Sequence, residues 1–284
     1  MEQAPLFDYK LRDDLFRYNA SLGLYRFFKG IDYIRVMELP IFASAMLSYR
    51  SQKLRYLDIG TGESIFPSFI ADQTNFLVTV IDKFTWVRKQ KDYLKRIGKH
   101  AWLKDGRFSI IEHDFLSADL PESSFDIITA ISVLEHIDGN GDTKAMEKIF
   151  RLLKPGGLFL MSSPYNHDKP DDYYVKSSVY GDKSQNGQTF FQRHYGAETL
   201  VRRIINVTPF VVENLFFAGH YQRFNFAKYL YVLPMPIKLI KVFYNWAASF
   251  YTPHFMQFSN QPPSDANPDM VTMDTVFLFF RKPK

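Results

Sequence analysis

At 284 residues with 46% hydrophobic side chains, the chain is long enough to fold around a large hydrophobic core. The absence of cysteine excludes a disulfide framework and a thiolate metal site, and it suits a reducing compartment such as the cytoplasm. The formal net charge of +5 is compatible with an anionic partner, but the sequence lacks the dense basic stripe that is typical of nucleic-acid-binding proteins.

The first fifty residues predict a helical addition. Apolar residues recur at helical spacing from Leu22 to Phe28 and from Ile34 to Leu47, with a division near Pro40. We expect no secretory signal, because acidic residues interrupt the apolar positions near the N-terminus. No charge-free apolar run reaches the roughly 18 residues of a membrane-spanning helix, so we expect a cytoplasmic protein, with membrane association at its surface as an alternative.

A strand, a glycine turn and a helix follow. The stretch Leu54 to Ile65 reads LRYLDIGTGESI, and its apolar run predicts a strand buried on both faces of a parallel sheet. Gly60 and Gly62 let the backbone turn sharply and lie close to a ligand, and Pro67 favours a helix start. A dinucleotide site needs a third small residue, which Ile65 does not provide. A turn without any ligand is the remaining alternative.

Further apolar runs follow the glycine turn along the chain. Asp82 ends the next apolar run, about twenty residues after the glycine turn, where α/β nucleotide-binding folds place a ribose-binding carboxylate. The other predicted elements are strands at Phe108 to Ile111 and Phe125 to Ile131, a helix at Asp142 to Leu153, and a strand at Leu158 to Met161. The chain from Pro164 to Gly196 has no helical period and predicts a long loop.

This series of motifs resembles class I S-adenosylmethionine-dependent methyltransferases, in particular the small-molecule branch of the ubiquinone/menaquinone-biosynthesis type. Asp58, Gly60 and Gly62 match the family's first motif, an acidic residue before x-G-x-G-x-G, while Ser64 replaces the third glycine. The LEH triplet after the fourth strand and the LKPGG turn before the fifth also match.

The resemblance implies a Rossmann-like sheet that is mostly parallel with an antiparallel last strand. It divides the chain into an N-terminal helical cap (1–50), a cofactor-binding core (51–218) with a long loop (164–196), an apolar insertion (219–270) and the last core strand (271–284).

The cofactor that the resemblance implies is S-adenosylmethionine, with S-adenosylhomocysteine as product. Asp58 would meet its amino-acid part, Asp82 the ribose and Asp114 the adenine, with Phe115 beside the ring. Alone, each carboxylate could instead cap a helix. The predicted cofactor-binding residues are Asp58, Gly60, Thr61, Gly62, Asp82, Lys83, Asp114, Phe115, Ser132 and Val133.

Methyl transfer needs alignment, and a base only where the acceptor must lose a proton. His136 follows the fourth strand with Glu135 beside it, and His194 and Tyr195 end the long loop, so these three residues (His136, His194 and Tyr195) are the catalytic candidates. The alternative for LEH is that it shapes the cofactor pocket. We predict no metal site, because no cluster of Asp and Asn ligands is visible in the sequence.

The expected acceptor is a small apolar or lipid-linked molecule, with O-methylation favoured over C-methylation. A sugar or glycan acceptor, which the tyrosine-rich loop would suit, and a non-catalytic cofactor-binding scaffold are the alternatives. We expect no nucleic-acid partner, since Ser132 to Glu135 stands where base methyltransferases carry an Asp/Asn-Pro-Pro-aromatic motif.

The insertion at 219–270 has a one-sided apolar face formed by Ile240, Phe243, Ala247 and Phe250. We expect this face to cap the acceptor cleft, with a peripheral membrane contact or a homodimer contact as alternatives.

Overall fold

The computed structural model describes residues 7–32, 34–167, 170–176, 187–220, 256–260 and 272–284. These residues fall into two compact units, the first drawn from Gln3–His113 and His220–Gln257 and the second from Asp114–Gly219 and Phe258–Lys284. The helices are α1 (Tyr9–Ser21), α2 (Leu24–Lys29), α3 (Arg35–Leu47), α4 (Phe66–Gln73), α5 (Lys89–Arg96), α6 (Gly141–Leu152) and α7 (Ala197–Arg203). The strands are β1 (Arg55–Ile59), β2 (Leu77–Asp82), β3 (Phe108–Glu112), β4 (Phe125–Ile131), β5 (Leu153–Pro164), β6 (Asp172–Val175), β7 (Thr189–Arg193), β8 (Val211–His220), β9 (Met256–Ser259) and β10 (Thr272–Arg281).

The main sheet has the predicted class. Its eight described strands lie in the order β3-β2-β1-β4-β5-β10-β8-β9. The pairs β1–β2, β2–β3 and β4–β5 are parallel, whereas β10 runs antiparallel to β5. The prediction of a mostly parallel Rossmann-like sheet with an antiparallel last strand is therefore confirmed. The predicted four-part division of the chain stays a prediction.

In the first unit, the local sequence explains why the strands and α4 form where they do. Tyr56 and Leu57 of β1 and Val80 of β2 are fully buried, as expected for runs without polar alternation. Pro67 stands in the first turn of α4, where its missing N–H has no intrahelical partner to lose.

The N-terminal helices differ from the prediction at α3. This helix runs from Arg35 to Leu47 without the predicted division, with Pro40 inside it. Proline removes the hydrogen bond that residue 40 would donate to the Val36 carbonyl. Because Phe42, Ala43 and Met46 on the same helix are completely buried, the packing of α3 offsets that loss.

Helix α1 was not assigned from the sequence, although its signals are local. Asp8 caps its N-terminus by accepting a hydrogen bond from the Leu11 amide at 2.9 Å. Leu11, Leu15 and Tyr18 are buried and stand at i, i+4 and i+7. The spacing of these residues and the aspartate before them together mark the helix.

In the second unit, the strand after the Pro-Gly-Gly turn is longer than predicted. β5 starts at Leu153, which pairs with Phe125, and the next paired residues are Leu158 and Ile127. The residues between them bulge out of the pairing, and Gly156 has a φ of 77° that favours glycine. The Pro-Gly sequence therefore lies inside β5, which begins directly after the last residue of α6.

Part of the aromatic surplus packs around β10. Phe280 stacks on Phe159 of β5 with ring centroids 5.7 Å apart, and Phe277 stacks on Phe216 of β8 at 4.8 Å. Phe210 contacts Phe159 and Phe280 as well, so these three rings form one cluster. These residues bury large apolar surfaces, which stabilises the antiparallel part of the sheet.

The predicted long loop at 164–196 contains a hairpin, so the prediction of a loop without regular structure is wrong. β6 pairs antiparallel with β7, with Asp172 opposite Arg193 and Val175 opposite Thr189. The two aromatic residues Phe190 and Phe191 favour a strand at Thr189–Arg193. The strand was not predicted because it is short and polar residues flank it on both sides.

The apolar face at 240–250 lies outside the described residues, so its predicted role as a cap, a membrane contact or a dimer contact stays a prediction. Within the insertion, the structure describes the short strand β9. No helix among the described residues has the length and apolarity needed to cross a membrane.

Candidate functional site

The glycine turn after β1 has the backbone conformation that the motif requires. Gly60 and Gly62 have φ values of 65° and 52°, in the left-handed region where side chains are strained. The Gly60 amide donates to the Ile81 carbonyl at 2.8 Å, which ties the turn to β2. A side-chain carbon added at Gly62 would meet no atom within 4 Å, so this part of the turn borders open space.

Asp58 lies under the turn. It is buried, and its carboxylate accepts hydrogen bonds from the Tyr56 hydroxyl at 3.1 Å and the Thr61 hydroxyl at 2.6 Å. These contacts hold Thr61, between the two glycines, against the end of β1. Asp58 therefore stabilises the turn, and its predicted contact with the amino-acid part of the cofactor stays a prediction.

Asp82, at the end of β2, lies directly beside the glycine turn. Its carboxylate accepts the Gly62 amide at 2.7 Å and the Phe84 amide at 2.8 Å. Burial raises the pKa of Asp82 above its ordinary value, and the two amide hydrogen bonds oppose part of that rise. Lys83 lies with its ammonium 4.9 Å from the centre of the Phe84 ring. The structure thus brings the predicted residues of the first unit together.

The residues of the first unit fit the donor and acceptor pattern of S-adenosylmethionine. A carboxylate has about four lone-pair sites, so Asp82 can accept ribose hydroxyls in addition to two amides. The open backbone at Gly62 permits the close approach that an amino-acid group needs. The fit therefore depends on two features of the structure, the Asp82 carboxylate and the open turn at Gly62.

Asp114 and Phe115 belong to the second unit. The Asp114 carboxylate accepts the Leu116 amide at 3.2 Å, and the Ala118 amide donates to the Asp114 carbonyl at 2.9 Å. Phe115 is buried, with the Lys148 ammonium 5.2 Å from its ring centre. With these contacts Asp114 caps a turn and not a helix, since no described helix begins there, and the adenine contact stays a prediction.

Ser132 has an unusual backbone conformation after β4. Its φ of 49° is uncommon for a residue with a side chain, and its amide donates to the Ser162 carbonyl at 3.1 Å. Such conformations need support from their surroundings, and functional sites often contain them. Val133 precedes the short 3₁₀ turn Leu134–His136, in which Glu135 is completely buried. The predicted cofactor contacts of Ser132 and Val133 remain predictions.

The hydrogen bonding of His136 defines its tautomer. Nδ1 lies 2.7 Å from the Phe191 carbonyl oxygen, which can only accept, so Nδ1 carries the proton. The lone pair of the neutral ring is then on Nε2, which lies 3.9 Å from a Glu135 carboxylate oxygen. The ring also contacts Phe191 edge-on at 5.3 Å. The Phe191 contact thus places a proton on Nδ1, so that Nε2 is the nitrogen that can accept a proton whenever the ring is neutral.

His194 and Tyr195 have different surroundings. His194 Nε2 lies 2.6 Å from the Gln192 amide nitrogen, and its ring is 4.2 Å from that of Tyr173. Tyr195 is completely buried and its hydroxyl donates to Asp142 at 2.8 Å. Burial and nearby carboxylates raise the pKa of Tyr195. Its contacts are those of a structural residue and give its predicted catalytic role no support.

A buried charge network around Asp142 was missed by the sequence analysis, which placed this residue only at a helix start. The Asp142 carboxylate lies 2.7 Å from Arg193 and 2.6 Å from Arg203. Arg193 also pairs with Asp172 of β6 at 2.7 Å. Burial alone would raise the pKa of Asp142, but hydrogen bonds from Arg203 and Tyr195 and the two positive charges lower it below its ordinary value. The network joins α6, α7 and the hairpin.

Comparison with known sequences agrees with this geometry. The model of a family described as "Methyltransferase domain" matches residues 35–203. The sterol 24-C-methyltransferase erg6 of Aspergillus fumigatus is 26% identical over 183 residues, covering 60% of this chain and 46% of the relative. That of Yarrowia lipolytica is 24% identical over 212 residues, covering 70% and 51%. The chain thus spans about half the length of these curated relatives.

Solved structures share the fold at low sequence identity. Phosphoethanolamine N-methyltransferase 2 of Haemonchus contortus, solved with S-adenosylhomocysteine, has a TM-score of 0.52 at 17% identity and covers 96% of this chain and 58% of that chain. The [4+2]-cyclase SpnF has a TM-score of 0.52 at 18% identity, covering 87% and 83%. One fold thus serves more than one reaction.

The family match extends from α3 to α7 and includes the glycine turn, Asp82 and His136. The resemblance seen in the sequence is therefore confirmed, and so, at the level of the family, is the prediction of a transferase that uses S-adenosylmethionine. The chain belongs to the methyltransferase domain family.

Proposed function

We propose that this chain transfers a methyl group from S-adenosylmethionine to a hydroxyl of a small, apolar or lipid-linked acceptor. One observation carries the donor part of the proposal: the hydrogen bond between the Gly62 amide and Asp82 sets a ribose-binding type of carboxylate beside an open glycine turn. The family match supports the reaction class.

In the first unit, the proposed work of the residues is binding and orientation. Asp82 accepts the ribose hydroxyls while its two amide hydrogen bonds fix its carboxylate plane. Asp58 and Thr61 hold the turn so that its backbone can contact the amino-acid part of the donor. When bound, S-adenosylmethionine supplies a methyl group on a positive sulfur, which keeps the electron pair of the broken bond. The protein's main contribution is therefore alignment.

In the second unit, we assign the proton transfer to His136. A hydroxyl acceptor loses its proton as the oxygen–methyl bond forms, and the Nε2 lone pair of His136 accepts that proton. The hydrogen bond from Nδ1 to the Phe191 carbonyl supports this assignment because it fixes the tautomer. His194, directly after β7, is the second candidate for a contact with the acceptor.

A carbon acceptor is the second candidate function. The curated relatives described above are named sterol 24-C-methyltransferases, which favours transfer to carbon on an apolar molecule. A panel of hydroxyl, alkene and sugar acceptors with methyl-labelled S-adenosylmethionine separates the candidates, since mass spectrometry and NMR of the product locate the new methyl group. Donor binding without transfer to any acceptor would favour a scaffold.

Replacing Asp82 with alanine tests the donor site. We expect the affinity for S-adenosylhomocysteine to fall by about 1–3 kcal/mol, because the ribose hydroxyls lose a charged acceptor in a partly buried site. Isothermal titration calorimetry measures this change. Asp92→Ala, on the exposed side of α5, is the matched control and should bind as the wild type does. Unchanged affinity in Asp82→Ala would remove Asp82 from the site, and tight binding of NADH alone would contradict the donor assignment.

A further inference from the structure

Three side chains converge on the main chain immediately after Gly62. Arg26 of α2 and Tyr93 of α5 both donate hydrogen bonds to the Glu63 carbonyl at 3.0 Å. Gln90 of α5 donates to the Ser64 carbonyl at 2.6 Å. We name Arg26, Gln90 and Tyr93 the turn clamp. Its members come from α2 and α5, and all three donate to the same short stretch of backbone.

The turn clamp is buried and internally packed. Gln90 is completely buried, Tyr93 is 2% exposed and Arg26 is 9% exposed. The Arg26 guanidinium lies 4.8 Å from the centre of the Tyr93 ring, a distance at which a cation and an aromatic ring attract. Hydrogen bonds in such a setting are costly to lose, because each buried partner would lack a replacement from water.

Helix α2 is itself fixed to α1 by a buried amide. Asn19 is 1% exposed, and its side chain donates to the Arg26 carbonyl at 2.7 Å and to the Gly30 carbonyl at 3.2 Å. Arg26 therefore stands on a rigid support. A chain of direct contacts leads from α1 through α2 to the glycine turn.

We propose that the turn clamp holds the glycine turn in its binding conformation and thereby sets the affinity for the methyl donor. The proposal rests on the proposed function of the turn. Glycines at positive φ have many alternative conformations, so a turn built on two of them pays an ordering cost when a ligand binds. Hydrogen bonds from side chains on α2 and α5 order the turn before the ligand binds, so this cost does not reduce the affinity. Arg26, Gln90 and Tyr93 are positioning residues that act through the main chain.

The chain offers a control in the side-chain ion pairs of the same segment. The Glu63 carboxylate is 3.7 Å from Arg26 and 3.6 Å from Lys29, and it is 46% exposed. Exposed pairs of this kind contribute little. Lys29→Gln removes such a pair on α2 and leaves every hydrogen bond of the turn clamp in place, so it separates the effect of side-chain charge from that of main-chain anchoring.

The test uses the full chain with Tyr93→Phe, Arg26→Gln, the double variant and Lys29→Gln. We expect the dissociation constant of S-adenosylhomocysteine to rise about threefold to tenfold in Tyr93→Phe and at least about tenfold in Arg26→Gln, from the loss of a neutral and a charged hydrogen bond. In the double variant, the dissociation constant should rise by less than the product of the two single fold-changes, because both donors bond to the same carbonyl oxygen. Lys29→Gln should bind as the wild type does.

Hydrogen exchange of the ligand-free protein gives a second measurement that does not depend on the donor. Amides in the segment 60–66 should exchange faster in Tyr93→Phe and Arg26→Gln than in the wild type or Lys29→Gln. Should Arg26→Gln fail to fold, Tyr93→Phe keeps the aromatic ring and still tests the clamp. Wild-type affinity and wild-type exchange in Tyr93→Phe would overturn the inference. A wild-type protein that binds no S-adenosylhomocysteine would instead contradict the proposed function.

Discussion

Asp142→Asn is expected to lower the free energy of unfolding by about 3–5 kcal/mol at neutral pH, the cost of removing one partner from a buried ion pair. The variant keeps the shape of the side chain, yet the buried Arg193 and the partly buried Arg203 lose the negative charge of Asp142. The Tyr195 hydroxyl also loses a charged acceptor. Denaturant unfolding monitored by circular dichroism measures the change.

Measuring the free energy of unfolding of the wild type and Asp142→Asn as a function of pH tests whether the charge of Asp142 causes the difference. The folded protein lowers the pKa of Asp142, so this residue contributes its full stability above the ordinary carboxyl pKa of about 4. That contribution is lost as the pH falls through the lowered pKa, so the gap between wild type and variant should narrow in acid. Asp14→Asn, in a surface pair with Lys10, is the control and should cost less than about 1 kcal/mol. A constant gap at all pH values would contradict the charge network.

His136→Ala is expected to reduce turnover of a hydroxyl acceptor by about 10²-fold or more, the usual range for loss of a general base. Binding of S-adenosylhomocysteine should stay near the wild-type value, since the contacts described for His136 go to Phe191 and Glu135. Single-turnover kinetics with the labelled donor measure the first quantity and calorimetry the second.

The matched control for this experiment is His100→Ala, at an exposed histidine of the first unit. It should leave both turnover and binding unchanged. Equal losses of turnover and donor binding in His136→Ala would indicate that His136 shapes the cofactor pocket, which is the alternative interpretation of the LEH triplet. Turnover at the wild-type rate would remove His136 from the mechanism.

The elements of the sheet could be predicted because their signals are local. The strand at Phe125–Ile131 has the predicted bounds. Asp82 could be placed beside the glycine turn because both lie at the carboxyl ends of adjacent strands. The hairpin at β6 and β7 was missed because two short strands in polar surroundings produce only a weak pattern.

The side chains that support the turn and the helices could not be predicted in the same way. Arg26 reaches the Glu63 carbonyl across 37 residues of sequence, and Arg193 reaches Asp142 across 51. No local period or motif links such pairs, since their meeting depends on the packing of complete elements. Packing also overrides local signals. Proline disfavours a helix interior, yet Pro40 lies inside α3 because the residues around it are buried.

The pairing of β5 with β10 has a consequence for the order in which the chain becomes complete during synthesis. Arg281 donates a hydrogen bond to the Gly156 carbonyl, 125 residues earlier in the chain. Until β10 leaves the ribosome, one edge of β5, with the buried residues Phe159 to Met161, has no strand to cover it. Such an edge is a template for pairing with other chains. Nascent chains that stop before β10 should therefore depend on chaperones to stay unaggregated.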